Sequence, residues 1–112
     1  MPREDLSTTV FHILVALAGQ DRHGYSIMQD VAARTGGAIK LSPGTLYGAI
    51  RRLLAEGLIQ EIDERPDPEY DDERRRYYRL TPAGHAAACA EAARLKRLLS
   101  QARANGVIPE TP

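Results

Sequence analysis

The chain has 112 residues, the length of one ordinary domain, with 43% hydrophobic residues and 15 basic side chains balancing 15 acidic ones. Zero net charge argues against a protein that coats nucleic acid by bulk electrostatics. It leaves room for a local basic face, because charge acts over about 10 Å at 0.1 M salt.

The first predicted helix covers Ser7 to Ala18, where Val10, Phe11, Leu14, Val15 and Leu17 fall at helical spacing before Gly19 stops the run. A polar link from Gln20 to His23 leads into a second helix starting near Gly24. Ile27, Met28, Val31 and Ala32 share one of its faces, and Gly36-Gly37 close it. Ala38 to Leu41 is too short for more than a turn or a brief strand. The third helix has the clearest start. Ser42 suits an N-cap and Pro43 the first helical position, where its missing N–H costs nothing. Thr45 to Glu56 form the body, and Gly57 stands where a left-handed terminal residue belongs. Leu46, Ile50, Leu53 and Leu54 make its apolar stripe.

Leu58 to Ile62 reads as a strand, and Arg76 to Leu80 as a second, with Tyr78 and Leu80 on one face and Tyr77 and Arg79 on the other. The polar segment between them carries Pro66, Pro68 and five acids from Asp67 to Glu73, too long for a tight hairpin. Three helices followed by a hairpin with a long polar tip make a mainly α fold, a winged helix-turn-helix with a two-stranded wing. Thr81-Pro82 repeats the cap-then-proline start and opens a long helix from Pro82 to about Ala104, with leucines gathered in its second half. That helix has little to pack on in a compact winged helix, so Ala88, Leu95, Leu98, Leu99 and Ala102 are the expected dimerisation residues. The expected organisation is a DNA-binding domain over 1–80, a dimerisation helix over 81–104 and a disordered tail over 105–112.

Function is argued from the surface opposite the apolar stripe of the third helix, where Gly44, Tyr47, Gly48, Arg51 and Arg52 recur at i, i+3, i+4, i+7 and i+8. A helix that enters a major groove needs a first turn free of bulk, which the two glycines supply. It also needs donors for base edges and phosphates, which Tyr47, Arg51 and Arg52 supply. The unpaired N–H groups from Ser42 to Thr45 can cradle a phosphate. Lys40 adds a cation just before the helix. Arg74, Arg75 and Arg76 lie where the wing returns, placed for backbone phosphates or the minor groove. The glycine at 48 also fits close helix–helix packing, and the three arginines also fit surface pairs with Asp71, Asp72 and Glu73. The acids of the loop would repel a phosphate backbone, so its tip is expected to point away from DNA.

The runs Gly24-Tyr25-Ser26-Ile27, Leu41-Ser42-Pro43-Gly44-Thr45-Leu46-Tyr47, Arg52-Leu53-Leu54 with Glu56-Gly57-Leu58-Ile59, and Arg76-Tyr77-Tyr78-Arg79-Leu80-Thr81-Pro82-Ala83-Gly84 resemble the PadR family of bacterial transcription regulators. The resemblance covers about residues 8 to 100 and is to the short subfamily with a single C-terminal helix. It implies a dimer held by that helix and repression of a promoter carrying an inverted repeat. It places Ser42, Pro43, Gly44, Thr45, Tyr47 and Arg51 in the recognition element. Gly48 departs from the family pattern, which often has proline there. Short members that hold flat aromatic drugs do so between tryptophans, and this chain has none.

Other chemistry is weaker. His12, His23 and His85 stand far apart with no metal-ligand spacing, so neither a metal nor a cofactor is expected. No nucleophile–base set or phosphate loop is apparent, and no enzyme is expected. The single cysteine, Cys89, has no internal disulfide partner and reads as a packing residue. With no run of about 18 apolar residues and an acidic start at Met1 to Asp5, the expected location is the cytoplasm, away from membranes. The expected partners are double-stranded DNA and a second copy of the chain, with a small-molecule inducer left open. A rival reading is a winged-helix protein-interaction module that does not bind DNA.

Overall fold

Among the described residues, each of the four helices begins on a side-chain acceptor. In the computed structural model, which describes residues 6–62 and 76–109, Ser7 Oγ accepts the Val10 N–H (3.1 Å), and His23 Nδ1 accepts the Ser26 N–H (3.1 Å). Ser42 Oγ accepts the Thr45 N–H (3.2 Å), and Thr81 Oγ1 accepts the Gly84 N–H (3.0 Å). These bonds satisfy donors that a helix start would otherwise leave unpaired. They fix α1 at Thr8–Gly19, α2 at Gly24–Arg34, α3 at Pro43–Ala55 and α4 at Pro82–Ala104.

The strands are β1 (Arg22–His23), β2 (Ile59–Ile62) and β3 (Tyr77–Leu80), in the order β1-β3-β2, all antiparallel. Ile59 lies opposite Leu80 and Ile62 opposite Tyr77. The sheet therefore has one strand more than the two-stranded wing that the sequence suggests. Arg22 and His23, read as a polar link, pair with Tyr78 and Tyr77. Two residues cannot show an alternation, so this strand exists only because β3 offers a free edge.

Apolar stripes from every helix meet in one core. Val10, Ile13, Leu14, Ala16 and Leu17 come from α1, Ile27 and Val31 from α2, and Leu46, Ile50 and Leu53 from α3. Leu58, Ile59, Tyr78 and Ala87 close it from the sheet and α4. On α1 the buried stripe is turned slightly from the predicted one. Ile13 is fully buried, whereas Phe11 and Val15 are half-buried.

Arginines tie α2 to α1. Arg22 donates from Nε to the Ala16 carbonyl (3.0 Å) and from Nη1 to Ser26 Oγ (2.9 Å). Asp30 receives both Arg22 (3.3 Å) and Arg34 (2.6 Å), and Arg34 also donates to the His12 carbonyl (2.9 Å).

Two glycines allow the α3–β2–α4 junction. Gly57 takes φ +73°, the left-handed region that a side chain resists, and turns the chain from α3 into β2. At Gly84 a Cβ would stand 1.9 Å from the Leu58 carbonyl oxygen. The start of α4 thus lies directly on the turn after α3. Thr81 reinforces it, donating from N–H to Leu58 O (3.1 Å) and from Oγ1 to Gly57 O (2.7 Å).

α4 has 23 residues, a length of about 34 Å at 1.5 Å per residue. It packs on α1 and buries Gly84, Ala87 and Glu91, all in its first half. Glu91 binds Arg94 (Arg94 Nε to Oε1, 2.9 Å) and accepts the Leu6 backbone N–H. Arg94 holds the Glu91 carboxyl below its ordinary value, more than burial raises it. Past Arg94 the helix is exposed apart from half-buried Ala102. Of the predicted tail, Asn105 caps α4 and the Val107 N–H donates to Ala102 O (2.9 Å), while residues 110–112 lie outside the described residues. Among the described residues, no helix is long and apolar enough to cross a membrane.

Candidate nucleic-acid interface

α3 buries Leu46, Ile50 and Leu53 and turns its other side outward. Ser42, Pro43, Gly44 and Thr45 are all exposed, so the whole first turn stands open. Ser42 Oγ and Thr45 Oγ1 lie 3.0 Å apart and rigidify that turn. A Cβ at Gly44 or at Gly48 would meet nothing within 4 Å. Neither glycine is there to admit a neighbouring helix of the chain. What they leave clear is the outer surface.

Arg51 and Arg52 follow on the same outer side, exposed. Among the described residues neither makes an ion pair or side-chain hydrogen bond. Lys40 is exposed just upstream. Tyr47 is placed differently from its neighbours. It is half-buried, and its ring lies over Gly24 at the start of α2, where a Cβ would stand 2.5 Å from the phenol oxygen. Tyr47 thus locks α3 against α2 and presents only part of its ring outward. Gly24 is a residue that the sequence singles out in a motif without giving it this task.

A cleft of about 610 Å³ separates α3 from the sheet, lined by Tyr47, Ile50, Arg51, Leu54, Glu61, Arg76 and Tyr78. Arg76 reaches across to Glu61, Nη1 to Oε2 at 3.6 Å. Tyr78 also lines the cleft, and burial, then the Glu61 charge, pushes its pKa up. Arg79 points to the other face of β3 and binds Asp21 with two nitrogens (3.2 and 2.9 Å), so it does not join the cleft. Arg74 and Arg75 lie outside the described residues. Of the predicted site, the structure brings together Tyr47, Arg51 and Arg76 at the cleft, with Ser42 to Thr45, Gly48 and Arg52 on the adjoining surface of α3. Glu61 and Tyr78 were not singled out from the sequence. Strand alternation puts Tyr78 inward, but the pairing across β2 and β3 is what aligns Glu61 with it.

The expected dimerisation residues divide. Leu95, Leu98 and Leu99 are 40%, 46% and 51% exposed, large apolar groups that their own chain covers only in part. Ala88 packs on the core from a half-buried position. Cys89 is exposed, its Sγ 3.6 Å from His85 Nδ1.

Helices, sheet order and the outward face of α3 together define a winged helix-turn-helix. The chain matches the Transcriptional regulator PadR-like family over residues 13–90, and it belongs to that family. The transcriptional regulator Rv3488 of Mycobacterium tuberculosis is 40% identical over 76 residues, 68% of this chain and 64% of that one. A transcriptional regulator from Clostridium thermocellum, Cth-833, has a similar structure, with a TM-score of 0.70 at 26% identity over 89% of this chain and 92% of that one. A PadR family transcription regulator from Clostridium difficile R20291 shares the fold, with a TM-score of 0.70 at 22% identity over 87% of this chain and 96% of that one. The chain spans 22%, 64% and 65% of the lengths of the curated relatives it matches.

Proposed function

We propose that the chain is a sequence-specific DNA-binding transcription regulator, a repressor that holds an inverted-repeat operator as a homodimer in the cytoplasm. Residues 1–80 form the DNA-binding domain and 81–104 the dimerisation helix. The reading is carried by the outer surface of α3. Its first turn is exposed, its two glycines face open space, and Arg51 and Arg52 have no partner among the described residues. A solvated face serving only solubility has no need of a cleared first turn, whereas a helix that approaches base edges does. Lys40 and Arg76 flank it as phosphate contacts, with Arg74 and Arg75 the further candidates from sequence. The exposed leucines of α4 supply an apolar surface that a second copy would cover.

Two reading helices related by a two-fold axis would address half-sites about 34 Å apart, one turn of duplex. Selection of bound duplexes from a random pool tests the reading, and a near-palindrome is the expected product. The Arg51→Ala/Arg52→Ala chain should bind that duplex far more weakly, by about 2–6 kcal/mol if both arginines reach base edges. Undiminished binding would remove α3 from the interface.

A further inference from the structure

The cleft beside α3 contains an acid where a phosphate-binding surface would be expected to hold only cations. Glu61 stands on β2 directly opposite Tyr78, and its carboxylate lines the cleft with Arg51 and Arg76. Arg76 is 64% exposed, yet its guanidinium is turned to Glu61 at 3.6 Å. Arg51, on the facing helix, has no such partner among the described residues. Two cations that line one cleft are thus in different states, one available and one held.

We infer that Glu61 sets DNA specificity by withholding Arg76 from the phosphate backbone. The inference rests on the DNA-binding reading above. Binding to any duplex irrespective of sequence is almost wholly a matter of cations neutralising phosphates. A carboxylate that competes for one of those cations weakens sequence-independent binding. The first turn of α3 and Arg52, which lie outside the cleft, are untouched by it. Glu61 therefore widens the ratio between operator and random DNA without touching a base. The length of the Glu61–Arg76 pair fits this role. At 3.6 Å and exposed, it is loose enough for an incoming phosphate to take the guanidinium when α3 is correctly seated.

The test is an equilibrium titration of full-length wild-type, Glu61→Gln and Glu61→Gln/Arg76→Ala chains. Each is measured against a random-sequence duplex and the selected duplex, between about 50 and 200 mM salt. Glu61→Gln should bind random duplex about threefold more tightly, the equivalent of about 0.6 kcal/mol. Its plot of log affinity against log salt should steepen by about 0.9, one phosphate contact. Binding to the selected duplex should gain less, so the specificity ratio falls, and removal of Arg76 should abolish the gain. Melting should stay cooperative, because an exposed pair of this length adds little to stability. Unchanged or weaker binding of random duplex by Glu61→Gln, or a gain that survives loss of Arg76, overturns the inference while the regulator reading stands. A wild-type chain that binds neither duplex overturns both.

Discussion

Among single residues, Glu91 and Gly24 show most clearly what a side chain, or its absence, does here. Glu91 is buried on the inner side of α4 and bonded to Arg94 and the Leu6 N–H. Because its folded pKa lies below the ordinary 4.5, its carboxylate stabilises the fold above that value. The contribution drains away as pH falls through the lower folded value. Glu91→Gln should therefore melt below wild type at neutral pH, and thermal melts taken at falling pH should show the difference closing below about 4.5. Gly24 is the floor beneath Tyr47. In Gly24→Ala the new methyl would overlap the phenol, and the ring, free at its far end, would swing out. The stability cost should be modest, about 1–2 kcal/mol. DNA affinity should fall about tenfold or more, because α3 loses its lock on α2. Titration of the variant against the selected duplex checks this, and wild-type affinity would show that the lock does not position α3.

Elements were legible where their start signals were strong. Ser42-Pro43 and Thr81-Pro82 fixed two helices, because capping and proline preference are local physics that need no tertiary partner. β1 was not legible, since a two-residue strand depends wholly on the edge of β3. The joint between elements was also hidden. Gly84 sits in a motif, but its reason is the Leu58 carbonyl, 26 positions earlier in the chain. Gly84→Ala cannot be absorbed by a flexible side chain, because the obstacle is backbone. It should cost about 2–4 kcal/mol, read as a lower denaturant midpoint with an unchanged slope.

At the scale of the whole molecule, the chain measures 53 × 38 × 23 Å, and the second half of α4 is its exposed projection. Leu95→Arg and Leu99→Glu place charges on that projection, far from the core. Each should leave the chain folded, since these leucines lie outside the buried core. Sedimentation should move from dimer to monomer mass, and an unchanged mass would take α4 out of the assembly. The candidate site was legible in part at this scale. The face of α3 follows from a periodicity of 3.6, so Gly44, Gly48, Arg51 and Arg52 could be grouped from sequence alone. The Glu61–Arg76 pair and the seat of Tyr47 on Gly24 join residues 15 to 23 positions apart, and only packing brings such residues together.

The clasp of Thr81 and Gly84 on Leu58 has a mechanical meaning beyond stability. A glycine against a carbonyl and two hydrogen bonds across a single turn tie the long helix to the end of α3. On the proposed function, the two would act as the arms of a bent lever. A small scissoring between two chains joined along the long arms would then reappear as a changed span between the short ones, and so as a changed fit to the pitch of a duplex.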